Sequence, residues 1–109
     1  MSLDININFD EKENMWVFGP EGELDIFSSP NFKEKVVNAF ESRNSDIKID
    51  FEKLEYVDST GLGALISILR KVKEKDNNVY IHNIKPNIKK LFLITELDKL
   101  FIIRSEIDE

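Results

Sequence analysis

The sequence predicts an α/β domain: a mixed, mostly parallel sheet of four to five strands with helices packed against it, in the order β-β-α-β-α-β-α-β. Three observations carry this. Ile5, Ile7 and Phe9 alternate with Asn6 and Asn8, and a charged turn then leads into a second apolar run, the pattern of a hairpin. From residue 47 onward strand-like and helix-like segments take turns, which calls for right-handed crossovers between parallel strands. A chain of 109 residues reads as one domain, 1–109 with a core over about 5–105, large enough to fold without staples.

The hairpin turn is Asp10-Glu11-Lys12-Glu13-Asn14, and the second strand, from Met15, is stopped by Gly19-Pro20-Glu21-Gly22. Ser28-Ser29-Pro30 reads as a helix start, a hydroxyl cap followed by proline at the first helical position. Phe32, Val36, Val37 and Phe40 continue at helical spacing until Arg43-Asn44. Ile47, Ile49 and Phe51 form a third strand, and Leu54, Tyr56 and Val57 carry the chain on to Asp58. Leu62, Leu65, Ile66, Leu69 and Val72 mark one face of a long second helix. Val79–Ile84 is a fourth strand, Pro86-Asn87 opens a third helix, and Leu97–Ile103 holds a last short strand before the charged tail Ser105–Glu109.

Composition removes whole classes of chemistry. There is no cysteine, so disulfides, thiolate metal sites and cysteine nucleophiles are excluded. The single histidine, His82, leaves no cluster for a metal, and no cofactor is expected. No apolar stretch is long enough to cross a membrane, and no signal peptide is visible at the N-terminus. A net charge of −6 argues against direct binding to nucleic acid or to an anionic membrane. The expectation is a cytoplasmic protein. The charge is patterned: residues 1–30 hold seven acids and one base, whereas residues 59–95 hold seven bases and two acids. The basic stretch reads either as a partner or phosphate site, or as the solvated last turns of a helix around Arg70, Lys71, Lys73 and Lys75.

The most unusual segment is Asp58-Ser59-Thr60-Gly61-Leu62-Gly63, where a strand hands over to a helix. In parallel α/β sheets function gathers at the carboxyl ends of strands. Asp58 or Ser59 suits a helix N-cap. Gly61 and Gly63, however, each cost a helix roughly 1 kcal/mol relative to Ala. Small residues there let another backbone, or a phosphate, come close. A phosphate on Ser59 would sit at the positive end of the helix dipole. A capped helix start with tight helix–sheet packing explains the same six residues.

Leu54-Glu55-Tyr56-Val57-Asp58-Ser59-Thr60-Gly61-Leu62-Gly63 strongly resembles the phosphorylation-site segment of the anti-sigma factor antagonists of the STAS domain family. Gly22-Glu23-Leu24-Asp25 resembles the family's second signature, and Leu97-Asp98-Lys99-Leu100-Phe101 is similar to its usual ending. The resemblance implies a STAS-like fold and a regulatory protein that is not an enzyme. In such a protein the unphosphorylated form binds an anti-sigma factor that is also a serine kinase, and frees the sigma factor. Phosphorylation of the hydroxyl after the motif's Asp, here Ser59, switches binding off, and a serine phosphatase restores it. Thr60 is the neighbouring hydroxyl. The implied partner-binding set is Asp25, Asp58, Ser59, Thr60, Gly61, Leu62 and Gly63. Asp25 also reads as a solvated loop acid, and Leu62 as a core leucine.

Other readings use the same residues. A receiver domain would take Asp58 as phosphoacceptor with Lys85-Pro86 nearby, but it needs an acidic pair after its first strand and helices after its first two strands. A hydrolase would need His82 as the base for Ser59. Within the family, a scaffold subunit or ligand-sensing module of another bacterial signalling complex shares the fold.

Overall fold

The computed structural model describes residues 3–104, so the charged tail lies outside the described residues. The elements are β1 (Leu3–Asp10), β2 (Met15–Leu24), α1 (Ser29–Ser42), β3 (Asp46–Asp50), β4 (Leu54–Val57), α2 (Ser59–Glu74), β5 (Val79–His82), α3 (Pro86–Ile94) and β6 (Ile102–Arg104), with a 3₁₀ turn at Leu97–Lys99. β1 and β2 form the antiparallel hairpin, closed by Asp10, whose Oδ1 accepts from the amides of Lys12 at 2.9 Å and Glu13 at 3.1 Å. Asn14 at φ 58° completes the reversal, a conformation that Asn tolerates better than most residues. Every other pairing is parallel: β2 with β3, β2 with β4, β3 with β5 and β5 with β6.

The sheet has six strands rather than the four or five expected, and the addition is Leu54–Val57. β2 does not stop at Gly19-Pro20-Glu21-Gly22 as expected: those residues stay paired with Asn6–Leu3 of β1, and the ten-residue strand pairs with β3 through Met15–Phe18 and again with β4 through Gly22–Leu24. β4 therefore borders β2 alone and buries only Leu54 and Val57, at its two ends. That spacing lacks the alternation by which a strand is read from sequence. The fourth predicted strand stops at His82, because Asn83 turns the chain at φ 58°. The last predicted strand divides into the 3₁₀ turn and β6, with Glu96 at φ 63° opening the turn.

The core is continuous and takes in most of the residues whose periodicity marked it, with Ile68 buried in addition and Val37 and Ile66 only partly buried against it. Phe18 and Leu24 of β2, Phe32 and Val36 of α1, Ile47 and Ile49 of β3, and Leu65 and Ile68 of α2 are fully buried. Burying a side chain of this size contributes about 1.5–3 kcal/mol. Phe51 and Phe92 meet edge to face at 6.1 Å, docking α3, and Phe92 touches Phe101 at 5.5 Å. At the far end of α1 the Trp16 indole N–H donates to the Arg43 carbonyl at 3.0 Å, satisfying a helix-end acceptor.

Candidate functional site at the start of the second helix

β4 carries the chain past the ends of β3 and β5, along the last residues of β2, before α2 begins. Asp58 is the N-cap of α2 in extended backbone, and its Oδ1 accepts from the Gly61 amide at 2.9 Å. The Asp58 carbonyl accepts from the Leu62 amide at 2.9 Å, starting the helix. The amides of Ser59 and Thr60 are left without helical partners, at the positive end of a 16-residue helix. Both side chains are exposed. Ser59 thus presents a free hydroxyl at the first position of α2, beside the Asp58 carboxylate.

The two glycines separate into two roles. A Cβ on Gly61 would stand 2.4 Å from the Leu24 carbonyl oxygen and 3.0 Å from Val57 Cγ1, so Gly61 is what lets α2 start against the sheet. A Cβ on Gly63 would meet nothing within 4 Å, so internal packing does not ask for glycine there. Leu62 is 9% exposed and belongs to the core cluster, which fits the reading of that position as a core leucine on the helix face.

Asp25 follows Leu24, and Leu24 pairs with Val57, so the turn after β2 and the start of α2 leave adjacent strand ends. Asp25 is not a solvated loop acid: it is 9% exposed. Its Oδ1 accepts from the Phe27 amide at 3.0 Å, the Ser28 amide at 3.1 Å and lies 3.2 Å from the Ser28 hydroxyl. Burial pushes its pKa up, but the Ser28 and Phe27 amides and the Ser28 hydroxyl outweigh it and hold the carboxyl below its usual range. Ser28 occupies the N-cap position of α1, as expected, yet its hydroxyl does not cap the helix. It donates to the Glu23 carbonyl at 2.7 Å and accepts from the Asp25 amide at 3.0 Å.

This clamped turn pushes two large apolar side chains into solvent: Ile26 is 61% exposed and Phe27 81%. Sequence reasoning passed over both. The signal was present, since Asp25-Ile26-Phe27-Ser28 places two bulky apolar residues inside a turn rather than on a periodic face. The remaining chemistry is elsewhere. His82 ends β5 level with Asp50, whereas Ser59 follows β4, further along β2, so the two do not form a catalytic pair. Lys71 and Lys73 lie in the last turn of α2, at the opposite end of that helix from Ser59, where cations complement the dipole. No group of three or more His, Cys, Asp or Glu residues that could hold a metal occurs among the described residues. No helix among them is long and apolar enough to cross a membrane.

The mixed, mostly parallel sheet thus presents an exposed serine at a capped helix start, on the strand end adjacent to the clamped turn. The STAS domain profile matches residues 6–109, and the chain belongs to the STAS domain family. It is 30% identical over 104 residues to the anti-sigma-B factor antagonist of Bacillus subtilis strain 168, covering 95% of this chain and 94% of that protein. Among solved structures, an anti-sigma factor antagonist from Mycobacterium paratuberculosis superposes with a TM-score of 0.81 at 22% identity, covering 98% and 89% of the two chains. The Bacillus cell fate determinant SpoIIAA, in its phosphorylated form, superposes with a TM-score of 0.74 at 23% identity, covering 94% and 93%.

Proposed function

We propose that this chain is a one-domain cytoplasmic anti-sigma factor antagonist, a binding protein rather than an enzyme. Its unphosphorylated form binds an anti-sigma factor that is also a serine kinase and frees the sigma factor. Phosphorylation of Ser59 switches binding off, and a serine phosphatase resets it. The observation that carries the reading is the exposed Ser59 hydroxyl at the first position of α2, next to the Asp58 cap and the Asp25 turn. The docking face then consists of Asp58, Ser59, Thr60, Gly63 and the turn held by Asp25, with Gly61 setting the approach of α2.

The physics of the switch is local. A phosphate adds about −1.5 to −2 charges at pH 7. The amides of Ser59 and Thr60 and the helix dipole can hold that charge without disturbing the fold. For a partner the same charge, added beside Asp58, changes the sign balance of the face it must cover. The test is a pull-down with Ser59→Ala, with partners identified by mass spectrometry, followed by calorimetry of Ser59→Ala and Ser59→Asp against the purified partner. Ser59→Ala keeps wild-type affinity and Ser59→Asp binds about ten-fold or more weakly, a difference of roughly 1.4 kcal/mol. Equal affinity of the two variants would sink the mechanism.

A further inference from the structure

We propose that the outer edge of β1 is the surface through which two copies of this chain pair, β1 against β1, into a two-fold dimer with one continuous sheet. β1 is an eight-residue strand at the rim of the sheet, and its only extensive contact among the elements is with β2. Among the described residues no strand and no loop backbone bonds to its other side. That side presents a row of unpaired N–H and C=O groups, the template onto which another strand adds.

Folded domains blunt such an edge with a short strand, a lysine, a proline or a bulge. The opposite rim follows that rule: β6 has three residues and ends on Arg104. β1 uses none of these devices. It contains no Lys, Arg, Pro or Gly, and its pairing with β2 runs without a register shift from Leu3 opposite Gly22 to Asp10 opposite Met15. Ile7 is 40% exposed, and Ile5, two residues away on the same face, is only partly buried against the core. The apolar row of the sheet therefore reaches the rim and stops there uncovered.

The strand's own sequence selects a second copy as the occupant. A two-fold axis perpendicular to the sheet keeps both helix layers on one face, so odd residues must oppose odd residues and even oppose even. Two registers give the longest overlap. Centred on Ile7, the pairing sets Asp4 opposite Asp10, and like charges directly opposite destabilise. Centred on Asn6, it sets Leu3 opposite Phe9, Ile5 opposite Ile7 and Asp4 opposite Asn8, with Asn6 against its own copy. Apolar then meets apolar on one face and carboxylate meets amide on the other. The strands run antiparallel, so the two Ser59 sites emerge at opposite ends of the dimer, and the inference does not depend on how Ser59 is used. Residues 1–30 hold seven acids and one base, so repulsion between the two hairpins opposes the dimer at low salt.

The test is sedimentation equilibrium of the full chain up to millimolar concentration, joined to single-cysteine variants, which a chain without cysteine makes unambiguous. The wild type forms a reversible dimer that tightens several-fold as NaCl is raised from about 50 to about 500 mM, because screening relieves the acidic hairpins. Ile7→Lys places a cation on the rim and dimerises about ten-fold or more weakly, while its circular dichroism spectrum stays that of wild type. Asn6→Cys stands on the two-fold axis, so mild oxidation links it into a covalent dimer about ten-fold or more faster than Ile7→Cys or Asn38→Cys, the last on the exposed side of α1. A chain that stays monomeric at every salt concentration overturns the proposal. So does a dimer that Ile7→Lys leaves intact, that loosens in high salt, or that cross-links no faster through Asn6→Cys than through the other two positions. Each of those results places the contact on another surface or in another register. The cross-linking series decides the outcome even if Ile7→Lys loses its fold.

Discussion

Gly61 lies so close to Leu24 that a β-carbon on it would stand 2.4 Å from the Leu24 carbonyl oxygen. The same carbonyl accepts a hydrogen bond from the Asp58 amide at 3.2 Å. One backbone group of β2 thus fixes where α2 begins, and with it the distance between the Ser59 hydroxyl and the turn that Asp25 holds. The candidate site is tied to the sheet through that carbonyl.

Gly61 and Gly63 are therefore expected to respond oppositely to alanine. Gly61→Ala forces the start of α2 away from β2 and destabilises by about 1–3 kcal/mol or more. Gly63→Ala meets open space in a helix and stabilises by about 0.5–1 kcal/mol. Urea denaturation of the two variants measures both, and a stabilising Gly61→Ala would refute the close-approach account.

The Asp58 cap predicts a graded series. Asp58→Ala loses the bond to the Gly61 amide and costs about 1 kcal/mol, while Asp58→Ser and Asp58→Asn retain most of it. Thermal unfolding at constant pH orders the three, and equal losses in all of them would mean that the cap contributes nothing.

Asp25 supplies a pH dependence with a definite sign. Its folded pKa is lowered, so its contribution to stability is complete above the ordinary aspartate value of about 3.9 and fades as pH falls through the lower folded value. Asp25→Asn keeps a carbonyl for the Phe27 amide but removes that titration. The stability difference between wild type and Asp25→Asn should narrow as pH is taken from 6 down to 2; a difference that widens in acid would reverse the assignment.

Phe27 tests the docking face without touching the fold. With its ring 81% exposed, Phe27→Ala should leave stability within about 0.5 kcal/mol. Exposed aromatics that become buried in an interface are frequent hot spots, costing about 2 kcal/mol or more on truncation. Calorimetry against the partner captured by Ser59→Ala should show a loss of that order, and unchanged affinity would place Phe27 outside the interface.

Much of this was legible along the chain. The hairpin, the three helices and the central strands followed from apolar spacing, because each buries one face against the same core. β4 was not legible, since it borders only β2 and buries its two end residues. The Ser28 hydroxyl marked the right position but bonds Glu23 and Asp25 instead of capping α1. Leu62 fitted either a core or a contact role by sequence, and only the packing shows it inside the core cluster.

By itself the sequence determined the class of fold and singled out Asp58–Gly63, because periodicity, caps and turn residues are local properties of neighbouring amino acids. Tertiary structure alone decided how those residues are used in the fold: it packs Gly61 against Leu24 and Leu62 into the core, holds Asp25 in a clamped turn, and leaves Phe27 exposed in that turn. Those outcomes depend on β2 being long enough to pair with both β3 and β4, a contact between segments some 30 residues apart that no local pattern encodes.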